Sequence, residues 1–218
     1  MSHFAVYVFL KENGEDLEEL LMPYDENMEC EPYVKYTREE AIAEVRRENE
    51  QYKNTTYAEY LADPEAYKEK YRTANPRHFE YLENEFPKRL EWTDEECFEY
   101  MKQWYDEENI DEDGNIYSTY NPKSKWDWYV VGGRWSNGLK TKNGRSVDTA
   151  YVKEIDWEES GAPFAFITPD GKWHERGEMG WWAIVTNEKS SDDWDTEFYK
   201  MVKKLDDDVV VTLVDCHI

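Results

Sequence analysis

Residues 121–145, NPKSKWDWYVVGGRWSNGLKTKNGR, gather the side chains suited to holding a compact anion. Six are basic (Lys123, Lys125, Arg134, Lys140, Lys142, Arg145) and one is acidic (Asp127), a local charge of +5 in a chain of formal charge −24. An arginine offers a planar fork of donors that matches phosphate oxygens, and a tryptophan offers a flat face on which a base can stack. Strand alternation would set Trp126, Trp128 and Val130 on one face and Lys125, Asp127, Tyr129 and Val131 on the other. Gly132-Gly133 then removes side chains where the strand ends, which lets backbone N–H groups approach a ligand or allows a tight bend. Arg134 and Trp135 follow at once. The pattern predicts a site for a small phosphate-bearing nucleotide made of Lys123, Lys125, Trp126, Trp128, Gly132, Gly133, Arg134 and Trp135. A plainer reading of the same residues is core tryptophans, a glycine turn, and lysines that are solvated or matched to the acidic helices.

A second cluster, DGKWHERGEMGWW, adds Lys172, His174 and Arg176 near Trp173, Trp181 and Trp182. If its hairpin folds beside the first segment, the two would form an aromatic pocket with basic lips, a reading opposed by Glu175 and Glu178. The four histidines are His3, His78, His174 and His217. His3 and His217 lie near opposite ends of the chain, on runs that could be neighbouring strands, where two imidazoles could serve as acid and base on a phosphodiester with Asp215 beside them. HFAV matches half of the His-x-Thr/Ser signature of two-histidine phosphoesterases, but Ala5 stands at the hydroxyl position and the closing CHI supplies no second copy. A metal set could be drawn from His3, Asp215, Cys216 and His217, with Asp25 or Glu26. No H-E-x-x-H or C-x-x-C pattern supports it, so neither a metal nor a cofactor is assigned. G-x-S-x-G, Walker and dinucleotide fingerprints are likewise missing.

The elements that must position these residues fall into two kinds. HFAVYVFL (3–10) and the terminal VVVTLVDCHI are β-branched and aromatic, and the second is continuous enough to be a central, buried strand. IYSTY, KWDWYVVGG and RSVDTAYV read as strands, KNGR as a hairpin turn, FAFITPDGKWH as a hairpin and MGWWAIVT as a buried strand. LMPYDENMECEPYVKY reads as an ordered loop. Between about 37 and 107 the chain reads as helices: capping boxes at Thr37/Glu40 and Thr93/Glu96, shorter helices punctuated by Pro64, Pro76 and Pro87, and an apolar side of Cys97, Met101 and Trp104. A last amphipathic helix carries Trp194, Phe198, Met201, Val202 and Leu205. The expected fold is a single α+β domain, with one mainly antiparallel sheet containing the N- and C-terminal strands and a helical insertion at about 37–107.

Composition bounds the partners. The 218 residues are 39% apolar but 16% aromatic, with 10 Trp and 17 Tyr, which a disordered acidic chain would lack. Fifty acids against 26 bases repel polyanions, which argues against general nucleic-acid binding and against anionic membranes. Cys30, Cys97 and Cys216 form no C-x-x-C pair and suit a reducing compartment. The N-terminal run is read as a strand rather than a signal peptide, and no run approaches the roughly 20 apolar residues of a membrane helix. A soluble, intracellular protein is expected, with a homo-oligomer left open.

MSHFAVYV, PYDEN, STYNPKSKWDWYVVGGRW, DGKWHERGEMGWW and the terminal VDCHI, in that order, resemble a widespread family of uncharacterised tailed-phage proteins. That family has no assigned activity, so the resemblance brings no catalytic residue. It implies a phage product in a host bacterial cytoplasm, and hence a counter-defence role: sequestering a nucleotide immune signal, cleaving it, or, through the acidic surface, acting as a nucleic-acid mimic on a basic host defence protein.

Overall fold

The two most β-branched runs of the chain, His3–Leu10 and Val210–His217, pair antiparallel along their whole length, from His3 opposite His217 to Leu10 opposite Val210. The computed structural model describes every residue except Met1, Glu12, Asn13, Glu15, Ala74 and 181–183. Around the central pair the sheet grows on both sides. Trp128–Val131 pairs antiparallel with residues 214–217 of the last strand, and Thr149–Tyr151 with residues 210–212 of the same edge. On the other side Ala165–Ile167 runs parallel to the first strand, and Trp173–Glu175 pairs antiparallel beyond it. The sheet is therefore mixed, with one parallel pairing, and the fold is α+β with both terminal strands at its centre.

Alternation gives each face its own core. Tyr7, Phe9, Val211 and Leu213 lie under the helix Ser191–Val202, which packs Trp194 and Phe198 onto them. Phe4, Val6, Val8, Val214 and Cys216 form the opposite face with Leu20 and Leu21 of the helix Leu17–Leu21. Each fully buried Phe, Leu or Val of these two layers contributes roughly 1.5–3 kcal/mol.

The chain divides into two compact units, Met1–Cys30 with Tyr120–Ile218, and Glu31–Thr119. The second contains the helical stretch, with one pair of strands, Tyr33–Tyr36 and Ile116–Ser118, near its ends. The first of these strands lies in the stretch read as a loop. Both capping boxes are made: Thr37 and Thr93 each accept the N3 backbone N–H, and Glu40 and Glu96 reach back to the cap N–H. The helix Arg38–Tyr52 continues through a π-turn at Lys53–Tyr57 into Ala58–Ala62. It packs Ala41, Ile42 and Val45 against Cys97, Phe98 and Met101. Trp104 is exposed, because the helix bearing Cys97 and Met101 ends at Lys102 and the apolar stripe stops with it.

MGWWAIVT is not one buried strand. Its described parts belong to two short strands, Glu178–Met179 and Val185–Thr186, paired with each other, and Ile184 is exposed. Residues 181–183, including Trp181 and Trp182 of the second aromatic cluster, lie outside the described residues. No helix among the described residues is long and apolar enough to cross a membrane.

Candidate functional site

The eight residues of the expected nucleotide site do not meet at one place. Trp126 is buried (6% exposed), packs with Phe4 and Cys216, and donates its indole N–H to the Leu21 carbonyl at 3.2 Å. It is a core residue, not a stacking platform. The regular ladder begins only at Trp128, and residue 126 instead forms a parallel bridge with Asp25, so alternation does not carry back from Trp128 to Trp126. Trp128 is 44% exposed and stacks on the His217 ring at 5.0 Å and 17°. Trp135 is half-buried at the edge of the core under the last helix.

Gly132 and Gly133 both take positive φ, +71° and +52°. A Cβ on Gly132 would lie 2.6 Å from Asp148 Oδ2, and one on Gly133 would collide with the Cβ and carboxylate of Asp215. Their lack of side chains admits two carboxylates of the protein itself. Asp148 accepts from Ser136 Oγ at 3.2 Å and from the Asn137 N–H, and Asp215 Oδ2 accepts the Arg134 N–H at 2.9 Å. The Gly132 and Trp135 N–H groups donate to the carbonyls of Leu213 and Gly132. These backbone donors serve a tight bend, which corrects the reading of the pair as a ligand cradle. The Arg134 side chain is exposed at the end of the strand opposite Lys125.

Lys123 and Lys125 line a cavity of about 680 Å³ together with Lys172, Lys189, Trp173 and His174. The hairpin 165–175 therefore does fold beside the first segment, as the second cluster suggested. Pro169-Asp170-Gly171 turns it, and Gly171 takes φ +77°. Tyr24 fixes the turn and the indole together: its hydroxyl donates to the Gly171 carbonyl at 2.6 Å and accepts the Trp173 N–H at 3.0 Å, and the rings lie 5.1 Å apart. Glu175 is neutralised within the wall by Lys125 Nζ at 2.6 Å and Trp173 Nε1 at 2.8 Å. His174 stacks on Phe166 at 4.7 Å and faces Glu197 through Nδ1 at 3.0 Å. Burial pushes the Glu197 carboxyl up, but hydrogen bonds from Lys189 and His174 outweigh it and hold the group below the usual range. Lys172 pairs with Asp170 at 2.7 Å, which lowers that carboxyl and raises the lysine. Among the described residues Lys123 has no ion pair. The cavity lies in the roughly 300–1,000 Å³ range of small-molecule sites.

The terminal strands bring His3 and His217 side by side, with ring centroids 4.9 Å apart in edge-to-face contact. Each is held through Nδ1 by a carboxylate: His3 by Asp215 at 2.9 Å and His217 by Asp127 at 2.6 Å. In-line displacement at a phosphodiester needs the phosphoryl group between base and acid. Rings in contact leave no such space, so this arrangement does not support cleavage by His3 and His217 with Asp215. Cys216 faces the opposite core, and burial pushes its thiol well above the ordinary range. It is therefore no partner to Asp215 and His217 in a metal set. Among the described residues no group of three or more His, Cys, Asp or Glu is placed to hold a metal ion.

Sequence reasoning missed Asp127 as the partner of His217, Lys189 and Tyr24 as cavity walls, and Asp148 as the reason for Gly132. Comparison with protein-family models, curated proteins and solved structures finds no match.

Proposed function

We propose that the sheet unit binds a small phosphate-bearing ligand of nucleotide size in the lysine-rimmed cavity and holds it intact. One observation carries this reading: Lys123, Lys125, Lys172 and Lys189 line one cavity with His174 and Trp173, against two acids of the same wall, Glu175 and Glu178, in a protein whose net charge is −24. Three of the lysines are paired, Lys125 with Glu175, Lys189 with Glu197 and Lys172 with Asp170, and the last pair is the most readily opened. The Lys172–Asp170 pair is largely solvent-exposed, and such pairs are worth about 0–1 kcal/mol, so phosphate oxygens can replace the carboxylate at little cost. The half-buried Trp173 ring, fixed by Tyr24 and Glu175, offers a flat surface for a base. The resemblance to tailed-phage proteins gives the setting, capture of a nucleotide immune signal in the host cytoplasm.

The test is equilibrium dialysis and thermal shift with cyclic mono- and dinucleotides and with inorganic pyrophosphate, followed by denaturation and chromatography of the released ligand. Charged hydrogen bonds are worth about 1.5–3 kcal/mol each, so Lys123→Ala with Lys172→Ala should weaken binding by at least ~100-fold. Intact ligand should be recovered. Binding that survives the double substitution would remove the site, and recovery of fragments would replace holding by hydrolysis.

A further inference from the structure

A second cavity, of about 400 Å³, opens on the sheet face that carries His3. Tyr7, Trp135, Phe164, Met179 and Leu213 make its wall largely apolar and aromatic. Two polar groups of the wall are used within the protein: the Tyr7 hydroxyl donates to the Ser160 carbonyl at 3.3 Å, and the Ser160 hydroxyl accepts the Lys140 N–H at 2.9 Å. The His3 ring and the Trp135 indole remain to fix a ligand's orientation, and of the two only His3 can accept a hydrogen bond.

Asp215 decides which nitrogen does so. Its carboxylate is 2% exposed, with Oδ2 accepting the Arg134 N–H at 2.9 Å and Oδ1 facing His3 Nδ1 at 2.9 Å. A carboxylate only accepts, so Nδ1 carries a proton toward Asp215, and whenever the ring holds one proton Nε2 is the acceptor. His217, in edge contact with His3, repeats the arrangement on Asp127, and its Nε2 is buried without any hydrogen-bond partner.

We propose that this cavity is a second small-molecule site, which takes a planar aromatic molecule whose ring N–H or O–H donates to His3 Nε2, as a phenol or a nucleobase would. It shares no wall residue with the lysine cavity and needs no phosphate, so it stands or falls apart from the function proposed above.

The experiment uses the full chain with ¹⁵N-labelled histidine, titrated with phenol, uracil and anisole, the methyl ether that lacks the donor. Before any ligand is added, the His3 resonances should report a protonated Nδ1 and a bare Nε2; the opposite tautomer would overturn the proposal without recourse to a variant. Phenol or uracil should then bind saturably and move the Nε2 signal. Anisole should bind at least ~10-fold more weakly, because it leaves the acceptor unpaired. Equal binding of phenol and anisole, or no binding of any probe, refutes the site. In Asp215→Asn the Arg134 N–H keeps the amide oxygen, so the amide NH₂ turns to His3 Nδ1 and drives the proton to Nε2. The preference for phenol over anisole should then vanish; a variant that folds and keeps the preference also refutes the inference.

Discussion

Gly133→Ala isolates the contact on which the histidine end of the sheet depends. Gly133 takes φ +52°, and an added Cβ would fall on Asp215, whose carboxylate holds both the Arg134 N–H and His3. Placing an L-residue in the left-handed region costs about 1–2 kcal/mol. Displacing Asp215 also forfeits a hydrogen bond to a buried charged group, worth about 1.5–3 kcal/mol. The sum is about 2.5–5 kcal/mol, which at roughly 2–4 °C per kcal/mol for a chain of this size lowers Tm by about 5–20 °C. Gly144→Ala is the matched control: Gly144 has φ +83° with open space where its Cβ would go, so only the backbone term of about 1–2 kcal/mol applies. Urea unfolding followed by tryptophan fluorescence measures both. If the two variants lose the same stability, the Asp215 contact carries nothing and the reasoning fails.

Trp126→Phe should destabilise by about 1–3 kcal/mol, because the Leu21 carbonyl loses its donor in a buried place, whereas Trp128→Phe on the exposed edge should cost less than about 1 kcal/mol; chemical denaturation compares them. Burial raises the Cys97 and Cys216 thiols, so a chromogenic disulfide reagent should titrate Cys30 in the native protein and the other two only in denaturant. Glu197 has a depressed folded value, so its contribution is present above the ordinary carboxylate value of 4.5 and is lost as pH falls through the lower folded value. Glu197→Gln should therefore be less stable than the native chain at neutral pH and converge with it in acid, read by thermal unfolding across a pH series; a gap that persists in acid would assign the loss to packing instead.

What was legible in the sequence was whatever has a local cause. The terminal strands announce themselves by β-branched runs, the helices by Thr-x-x-Glu caps, and the hairpins by Asn143-Gly144 and Pro169-Asp170-Gly171. Errors arose where a local rule was carried past the point at which a distant partner takes over. The period of two in KWDWYVV holds from Trp128, but Asp25, about a hundred residues earlier, draws Trp126 out of the ladder. Gly132-Gly133 signals a bend or a close approach, and only Asp148 and Asp215 decide which. For Asp127 a signal existed: it is the one acid among six bases in its segment, the pattern expected of an acid committed to a partner.

The charge excess of residues 121–145 has a similar explanation, and it bears on ligand choice. Lys140 donates to the Asn137 carbonyl and Ser146 Oγ, Lys142 to the Lys153 carbonyl, and Arg145 lies 3.9 Å from Glu154. These three bases close the hairpin around Asn143-Gly144 and its neighbours instead of facing a ligand. The bases of the cavity are Lys123 and Lys125 of this segment together with Lys172 and Lys189 from outside it, and among the described residues only Lys123 of the four has no ion pair. At physiological ionic strength charges are screened over about 8 Å, so an anion inside the cavity responds to the charges of its own wall, the four ammonium groups together with Glu175, Glu178 and the paired Asp170 and Glu197, and hardly to the remaining surface. A duplex must lie along several such lengths of a chain with nearly twice as many acids as bases, and is repelled there. The proposed function therefore predicts that the lysine cavity takes compact anions in preference to polymers: in a competition assay excess duplex DNA should fail to displace a bound nucleotide that pyrophosphate displaces.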